Sequence, residues 1–247
     1  WSSCTNEVDE FIGNVEPSTR SVSTALNANL ASLFTGGAPT LTSAEIKEVN
    51  DAYAKMTSIN CYRNIDEAVR NKTSYAGTIF LDDTYASAYF RKGSLAFPPY
   101  GILASSMEHE FIHMYQRDVQ GKKVDTDKEK RDTGMMEFEL AFYQGIIRYI
   151  HAGYSWTFKG EDGDPSYQSL WTSGLTDPSL IPQYEREFQT YVASICANGK
   201  PTSIDINEFV KWSNIFGEYS RGYSGKGYKF GNYDYGTSCI NSLLKLY

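Results

Sequence analysis

Apolar positions recur at helical spacing from Ser18 to about Phe34. In STRSVSTALNANLASLF, Val22, Leu26, Leu30 and Leu33 fall about one turn apart, and Gly36 and Gly37 close the run. Thr42 opens the tetrad TSAE, a capping box with Glu45, which predicts a helix to about Met56. From Tyr75 to Phe97 the character changes. YAGTIFLDDTYASAYFRKGSLAF is β-branched and aromatic, with turn residues at Asp82-Asp83 and Lys92-Gly93, and predicts two or three strands of a small sheet that Pro98 and Pro99 end. Helical spacing returns from about Tyr100 or Ile102 to Arg117, with Leu103, Met107, Phe111 and Met114 as its core face. The charged stretch 118–133 reads as a solvated loop, and Gly134 leads into a helix over MMEFELAFYQGIIRYIH. Beyond Gly153, GEDGDPS (160–166) is a loop with acids that lack EF-hand spacing. Residues 181–196 and 203–216 predict two further helices. A Tyr- and Gly-rich stretch (218–238) and a short apolar tail complete the chain. The fold class implied is α+β. Residues 1–120 form an N-terminal α+β part ending in the helix before the charged loop, and 121–247 a mainly helical part; the two either stand apart or share one compact domain.

Composition narrows the functional classes. A chain of 247 residues with 41% hydrophobic content can bury a substantial core. No apolar run reaches the length needed to span a bilayer. The net charge of -7 argues against nucleic acid as a partner, because a phosphate backbone selects a basic face. The 19 Tyr and 13 Phe suggest grooves as well as core, since an aromatic body with a polar tip suits peptide or sugar surfaces.

The four cysteines, Cys4, Cys61, Cys196 and Cys239, form no CxxC pair. Their even count and wide spacing fit two disulfides, with Cys196–Cys239 and Cys4–Cys61 the natural pairing. The start WSSCTNEVDE offers a rival, because it resembles the region around the acylated cysteine of bacterial lipoproteins, with Cys4 as the lipidated residue and a membrane tether. Either way the expected location is extracytoplasmic: secreted, periplasmic or on a bacterial cell surface.

The sharpest motif is EHEFIHMYQ (108–116). Two of the three histidines, His109 and His113, lie four apart with Glu110 between them. On a helix, residues four apart share a face, so both imidazoles can hold one Zn2+ at roughly 2.0–2.1 Å. Glu110 beside them can reach a bound water as general base. A catalytic zinc takes three protein ligands and leaves one position open. Val119 occupies the position of a third histidine at metzincin spacing, and His151 reads as a helix-end residue. The third ligand is therefore Glu137 or Glu139, about 200° apart on the next helix. Burial in the stripe of Met135, Phe142 and Ile146 favours Glu139, which would need a cation there. Helix approach favours Glu137, which shares its side with Ala141 and Gly145 and is the preferred candidate.

His109-Glu110-x-x-His113 with a downstream Glu resembles the gluzincins, the thermolysin-like branch of the zincin metallopeptidases. Gln116 and the ExE pair are similar to uncharacterised bacterial HExxH families, secreted or lipoprotein. The resemblance covers about residues 95–150. It implies a zincin-like fold with the third ligand on the second helix, His109, His113 and Glu137 as zinc ligands, and Glu110 as the base. Ala141 and Met136 stand where the thermolysin-like pattern has an acid and an Asn. The activity implied is hydrolysis of peptide bonds in a peptide or protein substrate. By the same resemblance, the strand ending in GSLAF (93–97) runs along the cleft. An oxyanion donor is needed too, and the Tyr/Gly stretch that follows the two predicted helices offers Tyr219, Tyr223, Tyr228, Tyr233 and Tyr235, which the sequence does not separate. The alternative is a catalytically weak or inactive zincin-like surface module that binds glycan or protein through its aromatic C-terminal part.

Overall fold

In the computed structural model, which describes residues 25–123, 131–151, 177–220 and 224–247, the first helix starts later than its periodicity predicts. Helix α1 spans Ala28–Leu33, because the Asn27 side chain accepts the Asn29 N–H and caps it there. Val22, Cys4 and the loop 160–166 lie outside the described residues. Helix α2 (Ser43–Ser58) forms as the TSAE tetrad predicts, with both reciprocal bonds of the capping box between Thr42 and Glu45. Helix α3 (Asn60–Lys72), which the sequence reading leaves unassigned, follows at once and buries Cys61, Tyr62, Ile65 and Val69 along one face.

The sheet has three strands, β1 (Ile79–Leu81), β2 (Tyr89–Arg91) and β3 (Ser94–Phe97). Their order is β1-β3-β2, with β1 parallel and β2 antiparallel to β3. A two-residue turn joins β2 to β3. Lys92 and Gly93 both take positive φ, 51° and 79°, the pairing that matches the strand twist of a tight hairpin. Gly77 allows the chain before β1 to lie against this turn. A Cβ there would sit 2.2 Å from the Gly93 carbonyl oxygen, a backbone atom that cannot rotate away. Gly77→Ala is expected to destabilise the protein at the upper end of the roughly 1–3 kcal/mol typical of overpacking. Urea unfolding of both proteins measures it, and an unchanged midpoint would contradict that close approach.

Helix α4 spans Ala104–Met114 and passes into a π-helical turn, Tyr115–Val119. Met107, Phe111 and Met114 are fully buried on it, whereas Leu103 is 58% exposed. Leu103 is the N-cap residue, outside the first turn, so it does not share the core face. Helix α5 (Arg131–His151) runs through the centre of the helical part. Its Phe138 and Phe142 meet Phe209 of α7 (Ile206–Tyr219), and Phe142 and Tyr149 meet Phe188 of α6 (Ile181–Ser194). A hairpin of β4 (Cys196–Ala197) and β5 (Lys200–Pro201) and the closing helix α8 (Ser238–Leu244) complete the described elements. The predicted helix over 181–196 thus stops two residues early, where Cys196 begins β4. His151 ends α5 as expected, its ring 5.8 Å from that of Tyr247. One cluster of buried apolar residues joins α2, α3 and α4 to α5, α6, α7 and α8.

The Cys196–Cys239 pairing does not form. Cys196 sits in the hairpin, Cys239 is buried in α8, and no disulfide joins them. No helix among the described residues is long and apolar enough to cross a membrane.

Candidate metal centre

The α4 face opposite its core residues carries the two histidines. Helical spacing brings His109 Nε2 and His113 Nε2 to 3.1 Å, with the rings nearly perpendicular. From α5, one Glu137 oxygen lies 3.3 Å from His113 Nε2 and the other 3.8 Å from His109 Nε2. Donors held at about 2.05 Å around a tetrahedral ion stand roughly 3.3 Å apart. The three separations bracket that value, so His109, His113 and Glu137 form a group that could hold a metal ion. The donor chemistry fits too. Two ring nitrogens facing each other cannot both carry protons, and a carboxylate beside them favours a shared cation.

Electrostatics support this. Burial, and secondarily His113, hold the His109 imidazole down at about 4, so it is neutral and able to ligate near neutral pH. Burial also works against charge on His113, but the charge and hydrogen bond of Glu137 outweigh it and carry His113 up to about 9. A proton on His113 and a divalent cation answer the same need for positive charge beside Glu137.

Glu110 is 4% exposed and stays outside this triangle, with its nearer oxygen 3.9 Å from His109 Nε2. Burial pushes its carboxyl up to about 7; His113 opposes the shift and Glu137 adds to it. A carboxylate beside the metal position but not among its donors, titrating near neutrality, has the placement of a proton acceptor.

The two candidate glutamates separate cleanly. Glu139 does not join the histidines; it is fully buried behind them. Its Oε2 accepts from Gln116 Nε2 at 2.8 Å and from the Tyr235 hydroxyl at 2.9 Å. Gln116 Nε2 also donates to the Met136 carbonyl at 2.9 Å. With its amide nitrogen committed to two acceptors, Gln116 turns its oxygen to His113 Nδ1 at 2.8 Å. That bond requires a proton on Nδ1, so the second proton of His113, the one that faces Glu137, is on Nε2, and its loss frees the Nε2 lone pair for an ion. Buried Glu139 thus orients His113 through Gln116, and Lys122, donating to the Tyr235 carbonyl at 2.8 Å, braces the far end. The burial argument for Glu139 as a ligand identifies a real need for partners; Gln116 and Tyr235 supply them to Oε2, while Oε1 is buried without a hydrogen bond among the described residues, and neither oxygen joins the histidines. The packing argument for Glu137 also needs correction. Gly145 makes room for Phe188 of α6, whose ring would lie 3.0 Å from an added Cβ, and not for α4.

The triad opens into a cleft of about 510 Å³, walled by Ser87–Phe90, Ser105, Ser106, Arg117, Thr133 and Met136. Two further expectations change here. Strand β3 is the central strand, paired on both sides, so its backbone cannot take an extended substrate. The edge strands are β1 and β2, and it is β2 whose Tyr89 and Phe90 line the cleft. Of the five tyrosines considered as oxyanion donors, Tyr223 lies outside the described residues, and Tyr219, Tyr228, Tyr233 and Tyr235 do not line the cleft. Tyr235 instead supports Glu139 from the core. The sequence reading passes over Arg117, which does line the cleft; its position four residues beyond His113 was the available signal. No protein-family model matches this chain, and neither a curated protein nor a solved structure matches it.

Proposed function

We propose that this protein is a zincin-like, gluzincin-type zinc metallopeptidase acting outside the cytoplasm on peptide or protein substrates. The observation that carries the reading is the convergence of two Nε2 atoms and the Glu137 carboxylate at a cleft wall, with Glu110 alongside but not among the donors. Two imidazoles, one carboxylate and an open side match the donor set of hydrolytic zinc sites. When bound, the ion supplies Lewis acidity and lowers the pKa of a coordinated water toward ~7. Glu110 takes the proton from the water that attacks the scissile carbonyl and delivers it to the leaving amine. Gln116 keeps His113 in the ligating tautomer. The outer edge of β2 offers backbone groups against which an extended chain can lie.

The test is to measure bound zinc by atomic absorption and to offer a mixed peptide library before and after chelation. Cleavage that disappears on chelation and returns with zinc supports the peptidase. Stoichiometric zinc without cleavage of any peptide would instead indicate a binding module. A smaller effect is expected one step out from the metal. Gln116→Ala removes the His113 partner, and zinc affinity, read by competition with a chromophoric chelator, should fall roughly 10–100-fold. An unaltered affinity in folded Gln116→Ala protein would mean the His113–Gln116 bond does no orienting.

A further inference from the structure

The cleft wall contains one strong cation that the hydrolytic scheme leaves unused. Arg117 is, among the described residues, the sole Lys or Arg lining the cleft that holds His109, Glu110, His113 and Glu137. It sits in the π-helical turn that follows α4, and such turns re-aim side chains at functional sites. Its guanidinium is held on two sides. Asp118 accepts from Nε at 2.9 Å and from Nη2 at 2.6 Å. The ring of Phe90, on the edge strand β2, lies 4.4 Å from the guanidinium carbon, and that of Tyr75 lies 5.7 Å away. Tyr75 in turn donates its hydroxyl to Asp118. The pair with Asp118 occupies one edge of the fork and leaves Nη1 outside it. A cation fixed in this way has already given up its rotamer freedom, so little ordering remains to oppose binding of an anion.

We propose that Arg117 is the carboxylate-binding residue of this cleft and sets its substrate preference. For a peptide the carboxylate comes either from the free C-terminus, giving exo-action, or from an acidic side chain near the scissile bond. This inference rests on the peptidase reading only for the identity of the molecule that brings the carboxylate. Glu110 and Glu137, the carboxylates of the cleft, lie at the metal position, whereas Arg117 is a permanently charged fork on the cleft wall, so it is the side chain suited to pair with an anionic group of the substrate.

The test uses zinc-loaded Glu110→Gln protein, so that peptides are bound but not consumed, and isothermal titration. The probes are an N-acetylated alanine tetrapeptide with a free carboxylate, its C-terminal amide, and an amide with one Ala replaced by Glu. One of the two anionic peptides should bind about tenfold more tightly than the neutral amide, as a charge-assisted pair supplies. Which of the two does so identifies the source of the carboxylate. Adding Arg117→Gln should bring all three within twofold, and Arg117→Lys should retain part of the preference. A purely structural role for Arg117 would lower thermal stability and weaken the three peptides equally, which would overturn the proposal. So would equal binding of all three peptides before Arg117 is changed. If no peptide binds although zinc is retained, the peptidase reading fails, and succinate titrated into the same proteins tests Arg117 by itself. Succinate binding lost in Arg117→Gln then supports the anion site, and binding that is absent or unaffected by Arg117→Gln refutes it.

Discussion

Glu110→Gln is expected to leave zinc bound and the fold intact while peptide cleavage falls by roughly 10²–10⁴, the contribution of a positioned general base. The substitution preserves side-chain volume at a site only 4% exposed, so packing should not register it. It removes only the ability to take a proton. The Glu110 carboxylate comes within 3.9 Å of His109 Nε2 but does not belong to the group of mutually close donors that His109, His113 and Glu137 form. Zinc content and cleavage rate should therefore uncouple. Parallel loss of both would mean that Glu110 holds the ion and has no separate part in proton transfer.

Glu137→Gln should weaken zinc binding by more than the 10–100-fold that outer partners contribute. The carboxylate supplies one of three donors and the negative charge that favours a cation between the imidazoles. An amide oxygen of the same size keeps the shape and loses the charge. Glu139→Gln is the matched comparison, two residues along the same helix. Its oxygen can still accept from Gln116 and Tyr235, so zinc affinity should fall far less than in Glu137→Gln. Chelator competition on both variants decides between the carboxylates. The reverse order, with Glu139→Gln losing the ion and Glu137→Gln keeping it, would refute the assignment of the third ligand.

Much of this site was legible before any coordinates. The spacing of His109 and His113 dictates a shared face because helical rotation is the same wherever the helix lies. The capping box before α2 and the Lys92-Gly93 turn were readable for a similar reason, since their bonds close within a few residues. Helix α3 has a regular apolar face but no start signal in the sequence, since its N-cap, Ile59, makes no side-chain cap bond and directly follows α2. The disulfide between Cys196 and Cys239 was expected from spacing along the chain, and spacing carries no information on whether a hairpin and a closing helix bring two sulfurs together.

The sequence by itself determined the chemistry of one helical face: two imidazoles one turn apart and an acid beside them, set by the pitch of α4. Only the tertiary structure decided what faces that helix. It brought Glu137 to the imidazoles and tied Glu139 to Gln116 and Tyr235 behind them. It placed β3 in the centre of the sheet with β2 at the edge beside the cleft, and put Arg117 on the cleft wall. The physical reason is range. Periodicity and capping act over about a turn of chain, whereas the approach of α5 to α4 depends on how separate apolar faces fill one core.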